Sequence, residues 1–221
     1  MVRISDRLRT VAHMCEKGAV VADIGTDHGY LPISLVQEGI RKGPLDKAKK
    51  HICDNCLEDR IQTRLSDGLE KLSANEADII TICGMGGRLI ADIVTKGMNV
   101  ITRNTTLIVS PQSEVGDFRH FLVSQRLVVD DEKMLKEDGK YYFIIKCRKS
   151  DENVYSEYSE TQYQYGWKLL ENKDKTLYEY LIKEKETNDG ISNSLKKDES
   201  NPTVKLRLQQ LSQKNNIIMD A

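Results

Sequence analysis

The sequence predicts an α/β fold: a doubly wound, mostly parallel sheet finished by an antiparallel pair, followed by a helical hairpin or coiled coil. Three observations carry this reading. An apolar run, Ala19 to Ile24, breaks into the glycine-bounded turn Gly25-Thr26-Asp27-His28-Gly29-Tyr30 and resumes as a helix. Apolar β-branched runs and helix-patterned segments then alternate up to two closing strands. Beyond about residue 150 the apolar positions recur at alternating four- and three-residue spacings, the seam of paired helices.

The elements follow in order. Ser5 can cap a helix running to about Met14, with Leu8, Val11 and Ala12 on its apolar side. Gly18 ends that segment, and Ala19 to Ile24 form the first strand. Helices are expected over about Leu31–Glu38 and, opened by Pro44, over Leu45–Leu57. Ile61 to Leu65 is a strand candidate running into Ser66-Asp67-Gly68. Asp78 to Cys83 reads as a buried strand ending in Gly84-Met85-Gly86-Gly87, with a helix from Arg88 to Lys96 after it. Thr106 to Ser110 is a strand ending in Pro111-Gln112, and a helix near Glu114 to Gln125 follows. Leu127–Leu135 and Tyr141–Arg148 make an antiparallel pair around the turn Glu137-Asp138-Gly139-Lys140. That ending belongs to class I (Rossmann-like) methyltransferase sheets and is absent from plain dinucleotide folds.

Composition bounds the function. The chain has 221 residues, enough for one α/β domain and a smaller appendage, with 39% hydrophobic and 30% charged residues. No apolar run approaches the ~20 residues of a membrane span. The first residues, Met1 to Leu8, interleave charge with apolar side chains and do not read as a signal peptide. Five scattered cysteines point to a reducing cytoplasm. Cys53-x-x-Cys56 beside His51 has no second ligand pair, so packed thiols on one helix face are expected rather than a metal.

The first turn carries the chemistry. A dinucleotide site would show G-x-G-x-x-G with a pyrophosphate on the helix terminus. Here Gly25 and Gly29 stand beside Asp23 and Asp27. Two carboxylates cradle a cation better than a phosphate, which favours S-adenosylmethionine, with its ammonium and sulfonium, over NAD or ATP. In a doubly wound sheet the loops 25–32, 66–68 and 84–87 converge at the carboxyl edge, where ligands bind.

These pieces, Asp23-Ile24-Gly25-Thr26-Asp27-His28-Gly29-Tyr30-Leu31-Pro32, Lys42-Gly43-Pro44-Leu45, Ser66-Asp67-Gly68-Leu69, Gly84-Met85-Gly86-Gly87 and Ser110-Pro111-Gln112, occur in the order of a known family. With the helical tail they resemble the bacterial TrmK family, S-adenosylmethionine-dependent tRNA (adenine-N1)-methyltransferases acting on adenine 22 of tRNA. The resemblance implies that residues 1–150 bind S-adenosylmethionine and that 151–221 form a linker and helical hairpin. It implies that Asp23, Gly25, Thr26, Asp27 and His28 line the methionine end of the cofactor. Asp67 with Gly68 would hold the adenine, and Gly84 to Gly87, Met85 included, would form the floor beneath the sulfonium.

Methylation of N1 requires the base to be turned out of its stack and leaves it cationic. Asp27 is the candidate to stabilise that charge and Tyr30 its catalytic neighbour. His28, Gln112 and Arg7 are the substrate-binding candidates, for stacking, the adenine edge and a phosphate respectively. Each has a plainer reading: His28 as a helix cap or core imidazole, Tyr30 as packing, Arg7 as a solvated helix arginine. The tail seams run through Tyr163, Trp167, Leu170, Asp174, Leu177 and Leu181, and through Val204, Leu208, Leu211, Asn215 and Ile218, around a polar connection. By resemblance Lys168, Lys175, Lys205 and Arg207 would help grip tRNA; a packing hairpin is the alternative.

One departure stands out. Glu38-Gly39-Ile40-Arg41-Lys42-Gly43-Pro44 passes from helix to helix with no room for the family's second strand and its ribose-binding acid. Either the residues of that strand are missing from this sequence or the ribose anchor has been lost. The first is favoured, because losing a central parallel strand would leave its neighbours' backbone groups unpaired. Strained closure or a chain break is expected between about Gly39 and Lys42. A monomer acting on tRNA in the cytoplasm, without metal or membrane, is the favoured reading. A small-molecule or protein methyltransferase, or a non-catalytic RNA-binding module, remains open.

Overall fold

In a computed structural model, residues 4–25, 52–64, 66–150, 157–198 and 200–221 are described. The chain divides into two compact units, Met1–Tyr155 and Ser156–Ala221. The first opens with α1 (Asp6–Met14), where the Ser5 hydroxyl accepts from the Leu8 amide at 3.3 Å, the capping bond its sequence implies. Then come β1 (Val21–Ile24), β2 (Ile79–Met85), α2 (Gly87–Lys96), β3 (Thr106–Pro111), α3 (Val115–Ser124), β4 (Leu127–Glu137) and β5 (Lys140–Lys149).

The five strands lie in the order β1-β2-β3-β5-β4, with β1, β2 and β3 parallel and β5 antiparallel to both neighbours. Asp138 (φ +48°) and Gly139 (φ +75°) are both left-handed, as a two-residue primed hairpin turn requires between right-twisted strands. Val11, Ala12 and Met14 of α1 pack on Val21, Ile79, Ile108 and Ile144, one from each of β1, β2, β3 and β5. Burying a side chain such as Val11 in this way contributes about 1.5–3 kcal/mol. Strand alternation sends Leu107 and Val109, also fully buried, to the other face.

Two expectations change here. Ile61–Leu65 is not a strand over its described residues 61–64. Among the described residues this segment has no ladder partner, and an extended segment without one is not a strand. Among the described residues β1 is the edge of the sheet, with a cavity of about 90 Å³ between its residues Val21, Ala22 and Ile24 and the segment holding Gln62, Arg64 and Leu72. The segment Gly39–Lys42, where closure was in question, lies outside the described residues.

Cys53 and Cys56 do not share a helix face either. The helix is described from Ile52 and stops at Asp54. Cys56 is left-handed (φ +54°), with Leu57 N–H donating to Ile52 at 3.1 Å and Cys56 N–H to Cys53 at 2.9 Å. That is a Schellman termination, and it leaves both thiols exposed rather than packed.

The second unit holds α4 (Glu160–Tyr165), α5 (Trp167–Glu171), α6 (Lys175–Leu195), a 3₁₀ turn (Lys196–Asp198) and α7 (Pro202–Met219). The first seam is thus three helices, not one. Gly166 (φ +91°) separates α4 from α5, and Asp174 is no seam residue: its carboxylate caps α6 through the Thr176 and Leu177 amides at 2.8 and 2.9 Å. The second seam holds, since Val204, Leu208, Leu211, Asn215 and Ile218 are buried or half-buried along an otherwise mostly exposed α7.

The polar stretch after Leu181 continues as helix because its polar groups find partners across the hairpin. Asn188, buried, donates to Asn215 at 3.0 Å, and Asn215 donates to Asp189 at 2.8 Å. An amide pair at a seam fixes register, as a polar residue does in coiled coils. Asn215→Ala leaves the Asn188 amide without its acceptor and is expected to cost about 1–3 kcal/mol. Thermal unfolding of the full chain followed by circular dichroism checks this; a change under about 0.5 kcal/mol would show that the pair does not set the register.

Candidate active site

The carboxyl ends of β1 and β2 build the site. Asp23 sits opposite Thr81 in the β1–β2 register, and its buried carboxylate accepts from the Thr81 hydroxyl at 2.8 Å. Thr81 is fully buried, so the bond fixes Asp23 from inside the sheet. Gly25 then leaves β1 at φ +76°, where a Cβ would lie 2.0 Å from the Met85 methyl. The end of β1 therefore rests directly against the end of β2.

These residues open on a cleft of about 560 Å³ in which Gly25, Asp67, Gly68 and Met85 face Ile93 and Lys96 of α2. The sequence assigned the first four to one ligand, and the structure brings them together. Gly68 is left-handed (φ +55°), and a Cβ there would come within 3.1 Å of Ile93 Cγ2. The Ser66 hydroxyl ties this turn by donating to the Gly68 carbonyl and accepting from the Lys71 amide, both at 3.1 Å. Asp67 is exposed and pairs with Lys96 at 3.6 Å, so an amine it accepts from would share its carboxylate with that lysine. Arg64, also at the cleft, bonds Glu76 and holds its carboxyl below the usual range.

The wall supplied by α2 was not among the sequence candidates. Leu89, Ile93 and Lys96 follow the 4,3 spacing of one helix face, a spacing that by itself does not tell packing from ligand contact. The half-exposed Leu89 shows that this face looks into the cleft as well as onto the sheet. Of the predicted residues, Thr26, Asp27, His28 and Tyr30 lie outside the described residues.

A second group gathers one residue earlier on β2. Gly84 has φ +81°, and the point its Cβ would occupy lies 3.8 and 4.0 Å from the two terminal nitrogens of Arg7 and 3.9 Å from the Gln112 side-chain nitrogen. Two of the substrate candidates, distant in sequence, thus meet at one glycine. The Arg7 guanidinium lies over the Tyr142 ring, 5.2 Å from its centroid. The Gln112 backbone N–H donates to Met85 O at 2.9 Å, next to a register shift between Cys83 and Met85.

The two following glycines are tightly packed: a Cβ on Gly86 would lie 2.9 Å from the Ser113 hydroxyl. A Cβ on Gly87 would meet the Ser113 and Glu114 carbonyls at 2.7 and 3.0 Å, and the Gly87 amide donates to Ser113 O at 3.0 Å. They lock the β2–α2 turn against the β3–α3 turn, where Glu114 is itself left-handed (φ +54°). Burial and the nearby Asp23 push the Cys83 thiol up from its ordinary value.

The cleft fits a nucleoside-sized ligand in volume. Its backbone approaches closely at Gly25 and Gly68, and Asp67 offers an acceptor for an exocyclic amine.

A family profile described as a methyltransferase domain matches residues 4–145. The tRNA (adenine(22)-N(1))-methyltransferase of Bacillus subtilis is 38% identical over 162 residues, 69% of this chain and 68% of that protein. The crystal structure of the B. subtilis m1A22 tRNA methyltransferase TrmK superposes with a TM-score of 0.84 at 30% identity, covering 100% of this chain and 99% of the other. A Streptococcus pneumoniae putative tRNA (m1A22) methyltransferase, solved in complex with S-adenosyl-L-methionine, gives 0.81 at 28% identity and 99% coverage of both.

Proposed function

The chain belongs to the tRNA (adenine(22)-N(1))-methyltransferase family, the TrmK proteins, and from that premise we propose that it methylates N1 of an adenine in the D-arm of tRNA. The observation that carries this reading is the meeting of Gly25, Asp67, Gly68 and Met85 on one cleft beside the Arg7–Gly84–Gln112 group. S-adenosylmethionine, when bound, supplies a methyl group already activated by a sulfonium.

The protein's own work is positioning. Gly25 and Gly68 admit the ligand to the backbone, Asp67 accepts from the adenine amine, and Met85 with Ile93 excludes water from one wall. Asp23, held by Thr81, anchors the end of β1 from which residues 26–30 continue. In that segment Asp27 is the residue to stabilise the cationic base, with Tyr30 as its catalytic neighbour and His28 to hold the base. The helical unit, with Lys168, Lys175, Lys205 and Arg207, is the second point of contact with tRNA. Among the described residues no helix is long and apolar enough to cross a membrane. The tRNA substrate of the relatives supports a cytoplasmic place for the reaction, and a monomer is the form we propose.

Incubation with unmodified tRNA and S-adenosylmethionine, followed by nucleoside analysis, is expected to yield 1-methyladenosine. Asp27→Ala should abolish transfer while lowering cofactor affinity only modestly. Cofactor binding without tRNA methylation would instead support a small-molecule or protein acceptor. Absence of cofactor binding would support a non-catalytic module.

A further inference from the structure

We propose that Arg7 and Gln112 form an oxyanion seat in front of Gly84 that receives a phosphodiester next to the methylated adenosine; this rests on tRNA being the substrate. Three side-chain nitrogens lie within 4.0 Å of the point a Gly84 Cβ would fill. The left-handed backbone at Gly84 disfavours any side chain there, so the point stays open to a ligand. Arg7 Nη1 is buried and has no hydrogen-bond partner among the described residues. A buried cationic N–H left unsatisfied is costly in a folded protein and calls for an acceptor from elsewhere.

Arg7 is preorganised for that acceptor. Its guanidinium is held over the Tyr142 ring, so little rotamer freedom remains to be lost on binding. Gln112 is anchored at its backbone by Met85 O and exposed at its side chain, so its amide can turn toward the same point. The number of donors selects the ligand class. A phosphodiester offers acceptor oxygens alone, the complement of three donor nitrogens, and adenine's own edges carry a donor amine beside their acceptors.

A carboxylate of the cofactor has the same oxygen chemistry. Position favours the substrate, because Arg7, Gly84 and Gln112 are not among the described residues lining the cleft that holds Gly25, Asp67 and Gly68.

The test uses the full chain with Arg7→Met, which keeps the stem over Tyr142, Arg7→Lys, and Gln112→Glu, which places a carboxylate at the seat. Affinity for a tRNA transcript is measured across sodium chloride concentrations, affinity for S-adenosylmethionine by calorimetry. Arg7→Met and Gln112→Glu should each weaken tRNA binding about tenfold and raise KM for tRNA more than they lower kcat. Arg7→Met should also reduce the salt slope by about one unit. Arg7→Lys should restore the slope and part of the affinity, and cofactor affinity should stay within about twofold throughout.

Unchanged tRNA affinity and salt slope in both Arg7→Met and Gln112→Glu overturn the proposal. A matching loss of S-adenosylmethionine affinity also overturns it and assigns the seat to the cofactor carboxylate. Should Arg7→Met fail to fold, Gln112→Glu decides, since that side chain is exposed. Inorganic phosphate separates this from the substrate reading. If phosphate raises the melting temperature of the wild type but not of Gln112→Glu while no tRNA is methylated, an oxyanion seat exists and the phosphodiester assignment falls with the function.

Discussion

Glu132→Gln is expected to destabilise the first unit by about 3–5 kcal/mol. Glu132 on β4 and Arg119 on α3 have no exposed side-chain surface, and Arg119 Nε donates to Glu132 Oε1 at 2.8 Å. Burial pulls the Arg119 guanidinium below its usual range, and the Glu132 carboxylate opposes that shift. The guanidinium also lies 5.1 Å from the centre of the Phe143 ring. Glutamine keeps the shape but removes the charge that makes the buried cation tolerable.

The consequence reaches the site through α3. That helix starts three residues beyond Gln112, and its first turn is locked to the Gly84–Gly87 loop through Ser113. Urea denaturation measures the loss. Arg119→Met should cost a similar amount, while Arg119→Met combined with Glu132→Leu should recover most of the stability, because an apolar pair of similar volume needs no compensation. A double variant as weak as the sum of the singles would mean that the two side chains act separately.

How far the sequence reached follows from what each signal encodes. Strand alternation was legible because β2, β3 and β5 are buried apolar runs, and the Asp138-Gly139 turn because few other dipeptides accept two left-handed residues in succession. Gly25 stood out because a glycine ends the apolar run of β1, whereas the adenine-holding role of Gly68 came only from the family resemblance; both stand where a side chain is excluded.

The failures concern interactions between distant residues. Ile61–Leu65 has the local pattern of a strand, yet a strand exists only through a neighbour, and among the described residues its positions 61–64 have no ladder partner. Asp174 fell on the heptad register by spacing and became an N-cap because Lys173 (φ +49°) breaks the helix just before it. Asn188 looked like loop composition and is buried because Asn215, 27 positions later, accepts its amide proton. Nothing local announces that Arg7 and Gln112 converge on Gly84, since that juxtaposition is made by the α1–sheet packing and the β2–β3 register together.

Gly25→Ala is expected to weaken S-adenosylmethionine binding at least about tenfold, and Gly139→Ala not at all, although both substitutions force alanine into nearly the same backbone conformation. Gly25 has φ +76° and Gly139 has φ +75°, so each change carries the left-handed penalty of about 1–2 kcal/mol. Their surroundings differ. Around Gly139 nothing lies within 4 Å of the added carbon, whereas at Gly25 it would sit 2.0 Å from the Met85 methyl. The methyl is the far end of a flexible side chain, so the fold can survive by turning Met85 aside. That motion reshapes the cleft wall that Met85 shares with Gly68 and Ile93. The pair of variants thereby separates backbone strain from cleft geometry: thermal unfolding should show comparable losses, and calorimetric titration with the cofactor should show a loss for Gly25→Ala alone. Equal cofactor affinities in the two variants would remove the junction of β1 and β2 from the cofactor site.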